Sequence, residues 1–303
     1  MLKRVYFWVV CLLCPLAIGV RTWQLSTQID ADGFYFPTHV AMGDALGILC
    51  LVAAALLLIV GRYVLPKQLP TAAPQKNNVI GVTAMILALC CVVQTALLAG
   101  QTTSLTVLLP CFAALLGFTL IGAFHLQRKN VPFVVTVIPV VGEFVRLVFS
   151  YANFNGVTQV SEQVLEILLL CSFLLFCMGI CRGYSGIQAE RGLGWTMGAG
   201  SCTLLFGGMV GVSPLLANGT MTALSIFALG IMVFSAAFMA SLVFGTPCVA
   251  EEAVDSDAQP VPAESNEQQE PQAEGQPQEK AEATEVIASA PLDFQQDVES
   301  FEE

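Results

Sequence analysis

An all-α, polytopic integral membrane protein with about eight transmembrane helices and a disordered acidic C-terminal tail is the fold class this sequence predicts. Three observations carry that expectation. Eight apolar stretches are each long enough to cross a bilayer, positive charge falls on every second connecting loop, and the composition changes sharply near residue 245. Over 303 residues the hydrophobic share is 55%, the charged share 12% and the mean hydropathy +0.72. A soluble domain of that composition would expose a very large apolar surface, so lipid has to cover it.

A bilayer core about 30 Å thick is crossed by roughly 20 helical residues. Spans are expected near 5–21, 38–61, 79–99, 104–124, 132–150, 163–181, 194–217 and 222–245. Residues 1–245 then form the transmembrane helical domain and 246–303 the tail. The net charge of −11 divides the same way: 11 Lys/Arg against 7 Asp/Glu up to residue 245, and 1 against 16 beyond it.

Orientation follows from the cations. Lys3 and Arg4 precede the first span; Arg62, Lys67 and Lys76 follow the second, Arg128 and Lys129 the fourth, Arg182 and Arg191 the sixth. The other side has only Arg21, at the very end of the first span. The positive-inside rule therefore puts both termini in the cytoplasm, with the protein in the cell membrane. Trp8, Tyr63, Tyr184 and Trp195 at one boundary, and Trp23, Tyr35 and Tyr151 at the other, suit the interfacial preference of amphipathic rings. The first span, ending in Ala17-Ile18-Gly19, also fits a cleavable secretory signal. Its 17-residue run is long for that purpose and the loop after it is short, so retention is expected.

Little catalytic chemistry is written into the chain. Ten of the 11 cysteines fall within spans, where a thiol behaves as a small apolar residue. Cys11-Leu-Leu-Cys14 matches a redox motif only as a string, because that chemistry needs a soluble strand-to-helix junction. The two histidines, His39 and His125, lie at opposite boundaries and make no zinc motif. Neither a phosphate-binding loop nor a nucleophile elbow is present. No catalytic residue, metal ligand or cofactor is assigned, an enzyme is less expected than a non-enzyme, and nothing points to nucleic acid.

The informative segment is the fifth span, where Glu143 and Arg146 stand at i and i+3 on one helical face. Charges at membrane depth cost about 2.5 to 3.5 kcal/mol each on insertion scales and are usually paired and functional. Thr136, Pro139, Glu143, Arg146 and Ser150 extend that face into a polar stripe. Pro139 lacks an N–H and is expected to break the helical ladder by leaving the Val135 carbonyl without its donor. At about 1.5 Å per residue, Glu143 lies roughly 16 Å and Arg146 roughly 21 Å from the cytoplasmic edge.

Asp44, Gln94, Glu166 and Ser213-Pro214 place further polar groups in the same outer half. An outward-facing polar site is the expectation, with Arg146 meeting anions and Glu143, Asp44 and Glu166 meeting protons or cations. The competing expectation is structural: Arg146 reaches the outer interface and Glu143 is its counter-ion.

Gly194, Gly198, Gly207 and Gly211, with Ala237, Ser241 and Gly245, predict close packing of spans 7 and 8. No internal repeat relates the two halves. The first outer loop, 22–37, carries Trp23, Asp30, Asp32 and the run Phe34-Tyr35-Phe36-Pro37, which suits the interface; two acids are too few for a calcium site. From Thr246 the chain turns to Glu, Gln, Pro, Ala and Ser, too polar to fold alone. Near its end Phe294, Val298 and Phe301 follow i, i+4, i+7 spacing, the pattern of a short helix docking on a cytoplasmic protein partner.

The function expected first is that of a small-molecule or ion transporter or permease with the lipid bilayer as its surroundings. A regulatory or assembly protein acting through the acidic tail is second, and an intramembrane enzyme third.

Overall fold

The computed structural model describes residues 2–29, 40–65, 69, 73–100, 105–152, 161–186, 189–219 and 221–245. These form helices α1 (Leu2–Thr27), α2 (Val40–Ile59, continued by a π-helical turn, Val60–Val64), α3 (Asn78–Ala99), α4 (Leu105–Leu126), α5 (Phe133–Ala152), α6 (Ser161–Ser185), α7 (Ala189–Gly211), α8 (Ser213–Asn218) and α9 (Ala223–Phe244). Eight segments are long and apolar enough to cross a membrane, the seventh made of α7 and α8 together. The acidic segment 246–303, with Phe294, Val298 and Phe301, lies outside the described residues. So do Asp30, Asp32, Phe34 to Pro37 and His39.

Helix starts are set by local chemistry. The Asn77 side chain accepts from the backbone N–H groups of Val79 and Ile80 at 2.9 and 3.4 Å, so α3 begins there. Thr222 caps α9 by accepting from the Ser225 N–H at 3.1 Å. The seventh span is interrupted at Val212, and Pro214 in the first turn of α8 suits a fresh helical start. Ser213 Oγ donates to the Ile18 carbonyl at 3.2 Å and ties this corner to α1.

Six helices close on themselves. In the order α3, α4, α5, α6, α7, α9 and back to α3, each packs on the next. Helices α1 and α2 stand outside that ring against α7, and α1 also reaches α8 and α9. Because α7 touches both groups, 78% of its spanning window is buried, more than in any other span.

The ring is filled by aromatic side chains. Phe118 of α4, Phe173 and Phe176 of α6, and Phe227, Phe234 and Phe238 of α9 are all almost completely buried. Their centroids run 5.4 to 6.2 Å apart in an unbroken chain, mixing stacked and edge-on contacts. Such pairs contribute about 0.5 to 1.5 kcal/mol each beyond area burial. Within a bilayer that term matters more than usual, because lipid tails remove most of the hydrophobic drive between helices.

Two close backbone approaches set the helix spacing. A Cβ on Gly61, in the π turn of α2, would collide with the backbone of Gly198 on α7. A Cβ on Gly117 of α4 would stand 2.5 Å from Pro139 Cδ of α5. Pro139 therefore nests on a glycine, and α5 runs through it without the expected break. The small residues of α7 serve two partners. Gly207 and Gly211 meet α9 as expected, whereas Gly194 and Gly198 face the end of α2.

Side-chain contacts put the cationic ends of the helices together. Lys3 Nζ donates to the Leu242 carbonyl at 3.4 Å, and Tyr6 Oη to the Leu57 carbonyl at 3.1 Å. Arg62 lies 5.0 Å above the Trp195 ring. His125 and Tyr184 join the ends of α4 and α6 to the approach to α3. This basic end also carries Lys76, Arg128, Lys129, Arg182 and Arg191 on or beside its helix termini.

Candidate functional site

The stripe along α5 faces protein. Thr136, Pro139, Gly142 and Glu143 are buried, and Arg146 and Ser150 are half-buried, while Val141, Phe144 and Val148 on the opposite face are exposed. A 20-residue helix with one polar face can be sheltered only if neighbours cover that face, and α3, α4, α6 and α9 do so.

Glu143 is 0% exposed, and neither carboxylate oxygen has a hydrogen-bond partner among the described residues. The counter-ion arrangement expected from the i, i+3 spacing does not close to hydrogen-bond distance. Arg146 turns to other helices instead. Its Nη1 donates to Gln94 Oε1 of α3 at 3.1 Å, and its guanidinium carbon sits 4.0 Å from the centroid of the Phe227 ring of α9. A cation over an aromatic face gains about 0.5 to 2 kcal/mol, rising with desolvation. The physical reason for the departure is reach: one turn apart on a helix, a short carboxylate and a long guanidinium satisfy each other only if the arginine folds back, and here it has better partners across the ring.

Higher on the same face, Ser150 Oγ donates to Glu166 Oε1 of α6 at 3.0 Å. Arg146 on its own helix and the thiols of Cys91, Cys111 and Cys177 on α3, α4 and α6 lie within electrostatic range of Glu143. Thr95 completes the α3 side, its hydroxyl donating to the Cys91 carbonyl at 2.6 Å. The structure thus groups Glu143, Arg146 and Glu166 along one face, with Gln94 added from α3. Asp44 belongs to α2, which packs on α7 outside the ring, and its side chain lies outside what is described. All ten cysteines from Cys11 to Cys202 are free thiols, and no group of three His, Cys, Asp or Glu among the described residues could hold a metal ion.

Two polar places escape the sequence reading. Arg21 is 2% exposed within α1 rather than at a boundary, because α1 continues to Thr27 and buries Gln24 and Leu25 as well. It lines a cavity of about 80 Å³ with Leu165, Met209, Asn218, Thr222 and Ser225, at the end of the bundle opposite the basic one. That volume holds a few water molecules. Neither Glu143 nor Arg146 lines it.

The second place is at the basic end. His125 Nδ1 accepts from the Asn77 N–H at 3.2 Å, so its proton is on Nε2, 2.8 Å from Tyr184 Oη, which donates in turn to the Pro74 carbonyl at 2.9 Å. Gln75 Oε1 accepts from the Val131 N–H at 3.0 Å. Lys76 and Arg128 hold positive φ values of 53° and 54° in these turns. Tyr184 is therefore a strut between helix ends as well as a boundary aromatic. The sequence signal for both places was a polar residue next to a span end, which is the least informative position in a hydropathy pattern.

Eight apolar spans and a ring with a polar face turned inward define a helical multi-pass membrane protein. Comparison with known protein families, with curated proteins and with solved structures finds no match.

Proposed function

We propose that this chain is a membrane transporter or permease for a small molecule or ion, acting through the α5 site, with both termini in the cytoplasm and the acidic segment 246–303 as a disordered cytoplasmic tail. One observation carries the reading: the carboxyl group of Glu143, in the middle of the fifth spanning helix, is fully buried with no hydrogen-bond partner among the described residues. A group kept only for structure would be hydrogen-bonded, since an unsatisfied buried polar group costs about 1 to 3 kcal/mol. A group that exchanges a proton or receives a ligand has to be left open. Arg146, Gln94 and Glu166 supply the charged and polar surroundings such a step needs, and Asp44 remains a candidate on the pathway.

The test is charge movement or solute uptake in proteoliposomes holding the full-length chain, screened against alkali cations, small carboxylates and neutral amino acids. Wild type should give a signal with one class, and Glu143→Gln should lose it while retaining the same elution profile and melting temperature within a few degrees. An equal signal from both proteins would overturn the role of Glu143.

A second reading is favoured by the aromatic filling of the ring, which is the interior of a sealed bundle. In it the body is an anchor or sensor and the tail acts by docking Phe294, Val298 and Phe301 on a basic groove of a cytoplasmic protein. Deleting 250–303 separates the two: flux survives under the first reading, and the cellular phenotype disappears under the second.

A further inference from the structure

We infer that the α5 site takes a small monocarboxylate, held on the open edge of the Arg146 guanidinium, and that one proton is taken up on Glu143 for each anion bound. This rests on the transporter reading of the same site and gives it a ligand class.

A guanidinium has five N–H donors in one rigid plane and no acceptor, a shape that matches a carboxylate with two parallel hydrogen bonds. In this chain the plane is held from two sides. Phe227 of α9 lies under it at 4.0 Å and Gln94 of α3 takes one donor at 3.1 Å. Among the described residues no other group bonds to it, so within them most of the oriented fork has no partner. That is the arrangement of a preorganised anion site, in which the cost of fixing the side chain has been met before the ligand arrives. An inorganic cation would be repelled there. A dianion would bring a surplus charge into an apolar ring, whereas one guanidinium balances one carboxylate.

Glu143, one turn along the same face, supplies the second half. Two carboxylates beside one guanidinium leave an uncompensated negative charge in a buried place, and a proton on Glu143 removes it. Neither Glu143 oxygen is engaged in a hydrogen bond with the described residues, so either can take that proton. The other titratable or charged groups acting on Glu143 are Arg146 on α5, Cys91 on α3, Cys111 on α4 and Cys177 on α6; α9 presents phenylalanine. Thiols ordinarily titrate at about pH 8.5 and so keep their protons in the neutral and mildly acidic range, which leaves the Glu143 carboxylate as the acceptor for the incoming one. Glu166 stands further along the stripe and accepts from Ser150 at 3.0 Å, so its carboxylate already has a donor.

The measurement is calorimetric titration of the full-length protein in lipid nanodiscs with acetate and with lactate, in two buffers of different ionisation heat, with chloride and ammonium as comparisons. Both carboxylates should bind, with one proton absorbed per anion and an affinity that falls about tenfold for each unit of rising pH while uptake stays at one. Glu143→Gln should bind without proton uptake and without that pH slope. Arg146→Gln should fail to bind while eluting as a folded protein, and Arg146→Lys should bind more weakly because the fork is gone. Carboxylate binding without proton uptake, equal binding by Arg146→Gln, or no binding by wild type overturns the inference. Flux of another solute by a wild type that binds no carboxylate would leave the transporter reading standing and remove only this one. Carboxylate binding with no flux of any solute would do the reverse.

Discussion

Replacing Glu143 by methionine should make the protein more stable. The carboxyl group is 0% exposed and both of its oxygens lack hydrogen-bond partners, so its removal relieves a desolvation cost of about 1 to 3 kcal/mol. Methionine has a similar length, adapts to irregular space and suits surroundings already rich in sulfur at Cys91, Cys111 and Cys177. Arg146 keeps Gln94 and Phe227 when Glu143 is gone, so the substitution strands no buried charge. For a body of this size, 1 kcal/mol moves the melting temperature by about 2 to 4 °C, giving an expected rise of about 2 to 12 °C. Size-exclusion melting of wild type and Glu143→Met in one detergent reads this directly. A fall of similar size would mean that Glu143 is a structural member of the ring, and the argument that its stability is sacrificed to function would fail with it.

The remaining outcomes concern packing, backbone conformation and orientation. Phe234→Ala, which deletes a ring contacting Phe118, Phe176 and Phe238, should cost about 3 to 5 kcal/mol and show as a lower melting temperature; an unchanged one would mean that the aromatic filling carries no stability. Gly61→Ala should lower stability by about 1 to 3 kcal/mol, because the new methyl collides with the Gly198 backbone, whereas Gly186→Ser, at a position with nothing within 4 Å but a φ of +73°, should show only a small backbone cost in the same melt. Reporter fusions check the orientation: a cytoplasm-only reporter should be active after Lys76, Lys129 and Arg191 and silent after Ser104 and Asn155, and the reverse pattern would invert the assignment.

The spans were legible because run length and composition decide them without reference to any partner. Eight helical segments long and apolar enough to cross a membrane lie within the described residues, and the inward face of α5 follows from the helical spacing of Thr136, Glu143, Arg146 and Ser150. What hydropathy could not show was the far end of α1. Residues 22–27 read as a polar loop, yet they continue the helix and bury Gln24 and Leu25, because α7 and α8 provide the cover that lipid would not. Arg21 was assigned to a boundary for the same reason. The four-residue glycine spacing of α7 correctly announced close approach, but could not say that Gly198 meets α2 while Gly207 meets α9; a spacing describes one face of one helix, not its neighbour. Nor could the pairing of Arg146 be read from its own helix, since Gln94 lies 52 residues away in sequence and Phe227 further still.

The place of α9 in the ring has a consequence for how the chain is made. Among the helices of the ring it is synthesised after the others, and it is the strut that joins α3 to α7 and supplies the aromatic ring under Arg146. Translation at about 5 to 20 residues per second delivers Phe227 roughly 4 to 16 s after Arg146. During that interval the polar stripe of α5 is uncovered on the side that Phe227 later takes. A nascent chain that has reached only α8 holds Gln94, Glu143, Arg146 and Glu166 but not Phe227, so the order of synthesis makes α9 the piece that completes the ring.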